Sequence, residues 1–557
     1  MSKIVVGIHI GHDRSTAVVK DGVLLGHLAE ERLDRIKHSP SVKFPKKSLF
    51  RLLDYLDIEL SEVSQFVISY AFVNIDKVIN GLAEDFKNEM GLPNATVLGV
   101  SHHLAHAYST FYTSNFTDAL IFVADGAGDV LDGNKLEAES AFIGTEKGIE
   151  LLWQRSQDIP SSYSDRRTFY HPDYIIESDK TKQISLARKY EQLTYGIGFG
   201  WGQSGKTMGL SSFGSSLVNL PIRVSNPTDS IDLQVQDLVF ELDDMARNEQ
   251  QSYKSFVMAY KSDVAATVQL AIESSVFNLL EKLSRKTDSR NLCLAGGLFL
   301  NCVLNHKILK SKLFESIHIC PASGDDGQSI GAAFYGFYIE RKGAKIEQSF
   351  TPYLGISYPN LYIERTLKEF NYEYVKCTTT LVASLLEEGF VGGIFRGRSE
   401  SGPRALGHRS IIASPRKLST REHINRYVKN REVFRPFAPM VLEEEQYEYF
   451  DLLQSSPYML LSTSVKSKYK DKLQAITHVD GTARIQSVNK DSEPFIFELL
   501  HDVKKLSGFP IILNTSFNGA DEPLVETPRD ALNTFERCNL DFLIIEDFLI
   551  LPNRSNE

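Results

Sequence analysis

Two histidines four residues apart, His102 and His106 in the phrase SHHLAHAYSTFY, are the residues of this sequence best suited to chemistry. On a helix that spacing puts both imidazoles on one face with Cβ atoms roughly 6 Å apart, close enough to serve one metal ion. Asp125 follows an apolar strand pattern, ALIFVA, in the Gly-rich turn DGAGD, and Asp325 sits in a second such turn, PASGDDGQSIG. A carboxylate in so apolar a setting is costly unless it meets a cation. Two His and two Asp form a mixed N/O set that Fe(II), Mn(II) or Zn(II) would accept, and ligand chemistry does not choose among them. His103 is left over, either as an outer residue or as an alternative ligand. HHLAH lacks the glutamate that acts as base in HExxH, so a metallopeptidase is disfavoured.

A second constellation has the opposite sign. Between Arg396 and Arg435 there are nine arginines and only three acidic residues. A solvated face normally mixes both signs, whereas a pocket for several phosphates needs convergent cations, and Arg supplies planar bidentate donors. Further on, IILNTSFN at 511–518 reads as a buried strand ending in short polar side chains that can bond phosphate or ribose. The net charge of −10 argues against a nucleic-acid face, because such faces need an excess of Lys and Arg.

The elements that must hold these residues follow from pattern. Lys3–Ile10, Ser15–Lys20 and Val23–His27 read as strands, with Asp21-Gly22 as a hairpin turn. A similar phrase returns about 110 residues later: Ala119–Ala124, then Ser140–Gly144 and Ile149–Trp153. A strand, an acidic Gly-rich turn and a hairpin occurring twice imply an internal duplication of the kind seen in the sugar-kinase/actin/Hsp70 superfamily of ATP-binding proteins. Ala265–Leu283 has helical apolar spacing. Leu292–Ala295 is a buried strand running into Gly296-Gly297, where backbone amides at a helix start could meet a nucleotide. Gly200 to Thr207 satisfies GxxxxGK[ST], but its flanks are too Gly-rich for the strand and helix a P-loop requires. At 557 residues, 42% hydrophobic and 24% charged, the chain is a globular protein of several domain-sized units. Five scattered cysteines suit a reducing compartment. With no signal-peptide pattern and no spanning apolar stretch, the expectation is a cytoplasmic protein without membrane association.

HHLAH, VADGAGD, AGGLFLN and GDDGQSIGAA, in this order, resemble the O-carbamoyltransferase family, which includes nodulation carbamoyltransferases and those acting on antibiotics such as tobramycin. The resemblance implies an α/β fold. Its N-terminal part would be a duplicated actin/Hsp70-like domain similar to the enzyme that places threonylcarbamoyl on tRNA. Its C-terminal part would be an α/β domain similar to threonylcarbamoyl-adenylate synthases. The expected division is a metal-dependent carbamoyl-transfer domain at 1–345, a linker at 346–358 and a carbamoyl-adenylate-forming domain at 359–557. By the same resemblance His102, His106, Asp125 and Asp325 match the metal ligands, with Fe(II) the usual ion. His12, with Asp13, matches a pair near the acceptor. Arg404 (GPRALG), Lys429 and Arg435 (VKNREVFRPFAP), Arg484 (DGTAR), and Asn514 and Ser516 (NTSFN) match contacts to carbamoyl phosphate and ATP. His408 after ALG departs from the common pattern without disturbing a motif. Lys37, Lys206, Gly296, Gly297 and Asn301 are further candidates for the transfer site, for Lys37 and Lys206 against the plainer reading of exposed lysines.

The implied activity joins carbamoyl phosphate to ATP, with Mg2+ as the nucleotide's ion, and passes the carbamoyl group to a small-molecule hydroxyl. No nucleic-acid partner is expected, and a homodimer is left open. Residues 215–262 read as an insertion that would shape the acceptor site. A kinase of the same superfamily would explain the paired hairpins but not the histidines or the arginine pocket, and a tRNA-modifying fusion should carry a basic surface. A nucleotide sensor would leave the ligand set unexplained.

Overall fold

A computed structural model describes residues 2–132, 135–158, 184–218, 234–341 and 345–552. They form two compact units: Met1–Gly11, Val19–Val23 and Val63–Gln348 make the first, and His12–Val18, Leu24–Glu62 and Ser349–Glu557 the second. The chain passes from one to the other at Gln348, within the segment read as a linker. A linear division, however, would put residues 24–62 in the first unit. They join the second because their cations find carbonyls there. Buried Arg32 donates to Gly402 O at 2.9 Å, and Arg35 donates to Leu524 O and Pro523 O at 2.6 and 3.0 Å.

The first unit is built on two sheets. Strands Ile4–Ile10 (β1), Gln65–Tyr70 (β4) and Val97–Val100 (β5) stand in the order β1-β4-β5, and β1 runs parallel to β4 with Val5 opposite Gln65 and Ile10 opposite Tyr70; Ser15–Lys20 (β2) and Val23–Ala29 (β3) lie for the most part in the second unit. Asp21 and Gly22, at φ 51° and 88°, form the expected β2–β3 turn. The second sheet uses Ala119–Ala124 (β6), Val130–Leu131 (β7), Lys135–Thr145 (β8), Gly148–Asp158 (β9), Asn291–Ala295 (β10) and Ser316–Ile319 (β11). Its order is β11-β10-β6-β8-β7, with β9 paired to β8. In each sheet the earliest strand has later strands beside it and parallel to it, and in the second sheet a hairpin follows on its other side. The hairpin strands β8 and β9 run longer than their sequence pattern implied, because β-bulges absorb the irregular stretch between Glu137 and Phe142.

Helix His102–Thr113 (α1) packs on β6 and β10 of the second sheet, helix Gln328–Tyr338 (α2) on β1 and β4 of the first, and the two helices on each other. Their crossing is close enough that a Cβ at Gly331 would lie 1.8 Å from Ala105 O, so only hydrogen fits there. Asp325 lies in the single turn Asp325–Gly327 that feeds α2.

The second unit centres on an eight-stranded sheet of Val375–Lys376 (β12), Gly392–Phe395 (β13), Arg409–Ala413 (β14), Ala438–Leu442 (β15), Gln486–Val488 (β18), Ile511–Ser516 (β19), Phe542–Ile545 (β20) and Phe548–Ile550 (β21). The order is β12-β21-β20-β13-β14-β19-β15-β18, while Ser462–Ser464 (β16) pairs with Thr482–Arg484 (β17) alone. Ile394, Ile412, Met440 and Ile512 of adjacent strands share one core with Leu499 and Val382 from the helices above them.

One sequence expectation changes here. Lys206 lies inside helix Ser204–Leu210, which the Gly-rich flank did not announce, and helix Leu186–Gly196 rather than a strand comes before it, so the segment is not a P-loop. Of 215–262, residues 219–233 (with Pro221 and Pro227) lie outside the described residues, and the remainder contains helices Gln234–Asn248 and Tyr253–Ala259. Among the described residues no helix is long and apolar enough to cross a membrane.

Candidate functional site

Three chain segments bring polar side chains to one point of the first unit: the first turn of α1, the end of β6 and the turn before α2. Asp125 Oδ2 and Asp325 Oδ1 stand 3.4 and 3.3 Å from His102 Nε2, and Asp325 Oδ1 is 3.4 Å from His106 Nε2. One ligand atom from each of the four can be chosen so that all lie within 4.8 Å of one another. Ligand bonds of about 2.0–2.2 Å would span such a set with small side-chain adjustment. All four residues are buried, and neither ring nitrogen of His106 nor Nδ1 of His102 has a hydrogen-bond partner among the described residues. Such nitrogens are costly to leave unsatisfied. Burial works against charge on His102, yet Asp325 and then Asp125 hold its pKa well above the usual imidazole range. For Asp125, burial and Asp325 push upward but the two histidines win, leaving it below the usual carboxylate range. The donor set therefore fits a divalent cation, which would replace an imidazolium as the counter-charge.

The surroundings hold the set in place. Gly297 N donates to Asp125 Oδ1 at 2.7 Å. Its neighbour Gly296 has φ +98°, and a Cβ there would lie 2.3 Å from Ala124 O, a conformation that requires glycine. The Gly-Gly turn thus holds the Asp125 carboxylate in place. At the start of α1, Asp129 Oδ1 accepts from His102 N at 3.2 Å, and Glu137 Oε2 accepts from Asp129 N at 2.9 Å. His103 pairs with Ser140 Oγ at 2.7 Å, and burial lowers its pKa to about 4. It is an outer residue, outside the four-residue group.

The other first-unit candidates have structural partners. Asn301 Oδ1 caps helix Cys302–Ser311 by accepting from Leu304 N at 3.1 Å, while its amide donates to Gln269 at 2.9 Å. Lys206 Nζ lies 5.6 Å from the Phe199 ring centroid. His9, which sequence reasoning missed, places Nε2 3.8 Å from Asp325 Oδ2.

His12 and Lys37 belong to the second unit. His12 Nδ1 is 2.9 Å from Asp13 Oδ2, and His38 Nδ1 is 2.8 Å from Asp13 Oδ1. Burial would raise the Asp13 pKa, but hydrogen bonds to the two imidazoles bring it down to about 2. Asp13, Glu31 and His38 form a second, half-buried group with metal-ligand spacing.

The cation pocket also lies in the second unit. Lys429 Nζ donates to Ser516 O (2.8 Å), Ser516 Oγ (3.1 Å), Asn518 O (2.9 Å) and Asn518 Oδ1 (2.5 Å), so the end of β19 fixes it. Burial first, then Arg431, with smaller contributions from Arg435 and Lys37, hold the Lys429 pKa well below the usual lysine range. Burial, Arg435 and Arg484 do the same to Arg431, whose Nε donates to Asn425 Oδ1 at 2.7 Å. Asn514 Nδ2 donates to Ala405 O at 2.9 Å, tying β19 to the segment after Arg404, and its buried Oδ1 has no hydrogen-bond partner among the described residues. Lys37, Lys429, Arg431, Arg435 and Arg484 thus act on one another electrostatically. Arg431 and Asn518 lay inside phrases already singled out, but nothing in their spacing marked them. His408 is structural: it stacks on Tyr353 at 3.9 Å and pairs with Glu493 at 2.9 Å.

Two family profiles match the chain: "Carbamoyltransferase N-terminus" over residues 82–334 and "Carbamoyltransferase C-terminus" over 383–551. The chain is 32% identical to nodulation protein NolNO of Sinorhizobium fredii, covering 97% of this chain and 79% of that protein. It is 33% identical to nodulation protein NolO of Bradyrhizobium diazoefficiens, covering 81% and 78%. Among solved structures, full-length HypF in its phosphate- and nucleotide-bound form aligns with a TM-score of 0.42 at 12% identity, covering 63% of this chain and 56% of that one. With both profiles matched in order and relatives aligned along nearly its full length, the chain belongs to the carbamoyltransferase family.

Proposed function

We propose that this carbamoyltransferase makes carbamoyl-adenylate in its second unit and transfers the carbamoyl group to a small-molecule hydroxyl with the help of the His/Asp centre in its first. The observation that carries the reading is the pair of opposite electrostatic deficits, four buried ligands suited to a cation and a buried lysine among half-buried arginines suited to phosphates.

In the second unit, carbamoyl phosphate would be hydrolysed to carbamate and inorganic phosphate. A carbamate oxygen would then attack the α-phosphorus of ATP as the bond to pyrophosphate breaks. Lys429 and the neighbouring arginines would hold the phosphates in line and offset the negative charge that accumulates, the main contributions to phosphoryl transfer. Arg404, Asn514 and Ser516 would position the nucleotide and carbamoyl phosphate. In both first-unit sheets the earliest strand carries two later strands in parallel succession, which supports the duplicated actin-like reading of the transfer domain.

A divalent ion at His102, His106, Asp125 and Asp325, with Fe(II) favoured over Mn(II) or Zn(II), would supply Lewis-acid charge to the anionic phosphate and the carbonyl of the mixed anhydride. Gly297 holds Asp125 for that purpose. His12, oriented by Asp13, would take the acceptor's hydroxyl proton as oxygen attacks the carbamoyl carbon and AMP leaves. A positioned base of this kind is worth roughly 10²–10⁴-fold.

The full chain incubated with ATP, Mg2+, carbamoyl phosphate and Fe(II) should release pyrophosphate, and AMP as well, with water taking the place of the acceptor hydroxyl. Release of ADP alone, with or without a sugar, would instead make it a kinase of the actin-like superfamily.

A further inference from the structure

β1 is apolar on both faces except at one position. In IVVGIHI every residue is buried, and His9 alone carries a polar side chain. An imidazole in the middle of a buried strand costs free energy unless the fold gives it an electrostatic partner. The strand does so by register and packing: β1 lies against α2, and the turn leading into α2 carries Asp325. Asp325 is divided between two groups. Its Oδ1 faces His102 Nε2 and His106 Nε2 at 3.3 and 3.4 Å, while its Oδ2 faces His9 Nε2 at 3.8 Å. The last distance is an ion–dipole contact rather than a hydrogen bond. The His9 ring also meets that of His102 edge-on, with centroids 6.0 Å apart. A second chain of contacts joins the same strands to the centre. Opposite His9 on β4, Ser69 Oγ donates to Gln328 Oε1 at 2.7 Å, and Gln328 Nε2 donates to His102 O at 3.1 Å.

We infer that His9 is a positioning residue of the metal centre: from β1 it holds the outer oxygen of Asp325, so that the inner oxygen is presented together with His102 and His106. The inference rests on the reading of those four residues as a cation site. His9 lies outside the four-residue group with mutual ligand spacing, which places it behind a ligand rather than among the ligands. Outer partners of this kind typically contribute 10–100-fold to metal affinity. His9 therefore ties the first sheet, through one carboxylate, to a centre whose other ligands come from α1 and β6.

The test is metal binding by the full chain, without turnover. Metal-free protein is titrated with Co(II), following its visible d–d bands and its competition with a chelator of known affinity. Wild type should take up Co(II) with bands that are lost in His102→Ala. His9→Leu should bind about 10–100-fold more weakly with an altered band shape, and His9→Gln, which keeps a donor near the Nε2 position, should recover most of the affinity. Melting of the metal-free forms checks folding. Equal affinity and identical bands in wild type and a folded His9→Leu would overturn the role of His9 while leaving the centre intact. The inference also falls if wild type shows no His102-dependent Co(II) binding, and in that case the cation site falls with it. Should His9→Leu fail to fold, His9→Gln and His9→Asn decide: bands and affinity that stay at wild-type values in both would count against the role, and weaker binding in Asn than in Gln would support it.

Discussion

The His/Asp centre of the first unit and the cation pocket of the second are both electrostatically incomplete, but in opposite senses. In the first, buried carboxylates and imidazoles compensate one another in part, and His102 is drawn toward charge by Asp325 and Asp125 despite burial. In the second, buried Lys429 and its half-buried arginine neighbours repel one another, and Lys429 and Arg431 are pushed away from charge. A fold does not gain stability from either arrangement, since uncompensated buried charge is costly. Each is a site that a ligand of the missing sign would complete. On the proposed reading the work is divided accordingly: phosphates would be gathered where cations converge, and a cation would be held where carboxylates and imidazoles converge.

The largest predicted effect breaks one site and spares the other. Lys429→Ala should reduce pyrophosphate release from ATP and carbamoyl phosphate by roughly 10²–10³-fold, the usual loss when a pre-positioned charge donor is removed. Transfer from supplied carbamoyl-adenylate should be unchanged, and loss of both activities would show that the two sites are not separable. A smaller effect sharpens the sign of the pocket. Because burial and Arg431 depress Lys429 in the free protein, an anion that restores its charge should bring a proton with it. Between the lowered pKa and the ordinary lysine value of about 10.4, pyrophosphate binding should take up protons. Its affinity should fall as pH rises through the lowered value. Calorimetry in buffers of different ionisation enthalpy reads this directly, and Lys429→Ala should diminish the buffer dependence. The smallest effect serves as a control. Thr527 and Asp530 form a capping box at the start of helix Pro528–Arg537, so Thr527→Ala should cost about 1 kcal/mol, lowering a melting transition by about 2–4 °C, with both partial reactions intact.

Much of this was legible in the sequence, for reasons that differ by element. His102 and His106 declare themselves because helical periodicity turns a spacing of four into one face, and Asp125 and Asp325 because apolar runs end in Gly-rich turns. The strands of the first unit follow from alternating breaks at Gly and Asp. His9 left no such signal: a single histidine in a strand has no partner within its own segment, and Asp325 is over three hundred residues away. Lys37 and His12 were legible as polar residues but not by location. That Leu24–Glu62 joins the second unit depends on Arg32 and Arg35 reaching carbonyls near 402 and 524, pairings that no local pattern encodes. Arg431 and Asn518 were hidden among similar neighbours, and only tertiary convergence separates them from the exposed cations of the same stretch.

The most direct test of the opposed-sites account is to strip the full chain of transition metal, supply ATP, Mg2+ and carbamoyl phosphate, and follow pyrophosphate and AMP separately. The account predicts that pyrophosphate release persists while carbamoyl-adenylate accumulates and AMP release, with water in place of the acceptor hydroxyl, waits for Fe(II), with Asp325→Asn behaving like the stripped protein at every iron concentration. Pyrophosphate release that stops with the metal, or AMP release that never needed it, would contradict the division of chemistry between the two units.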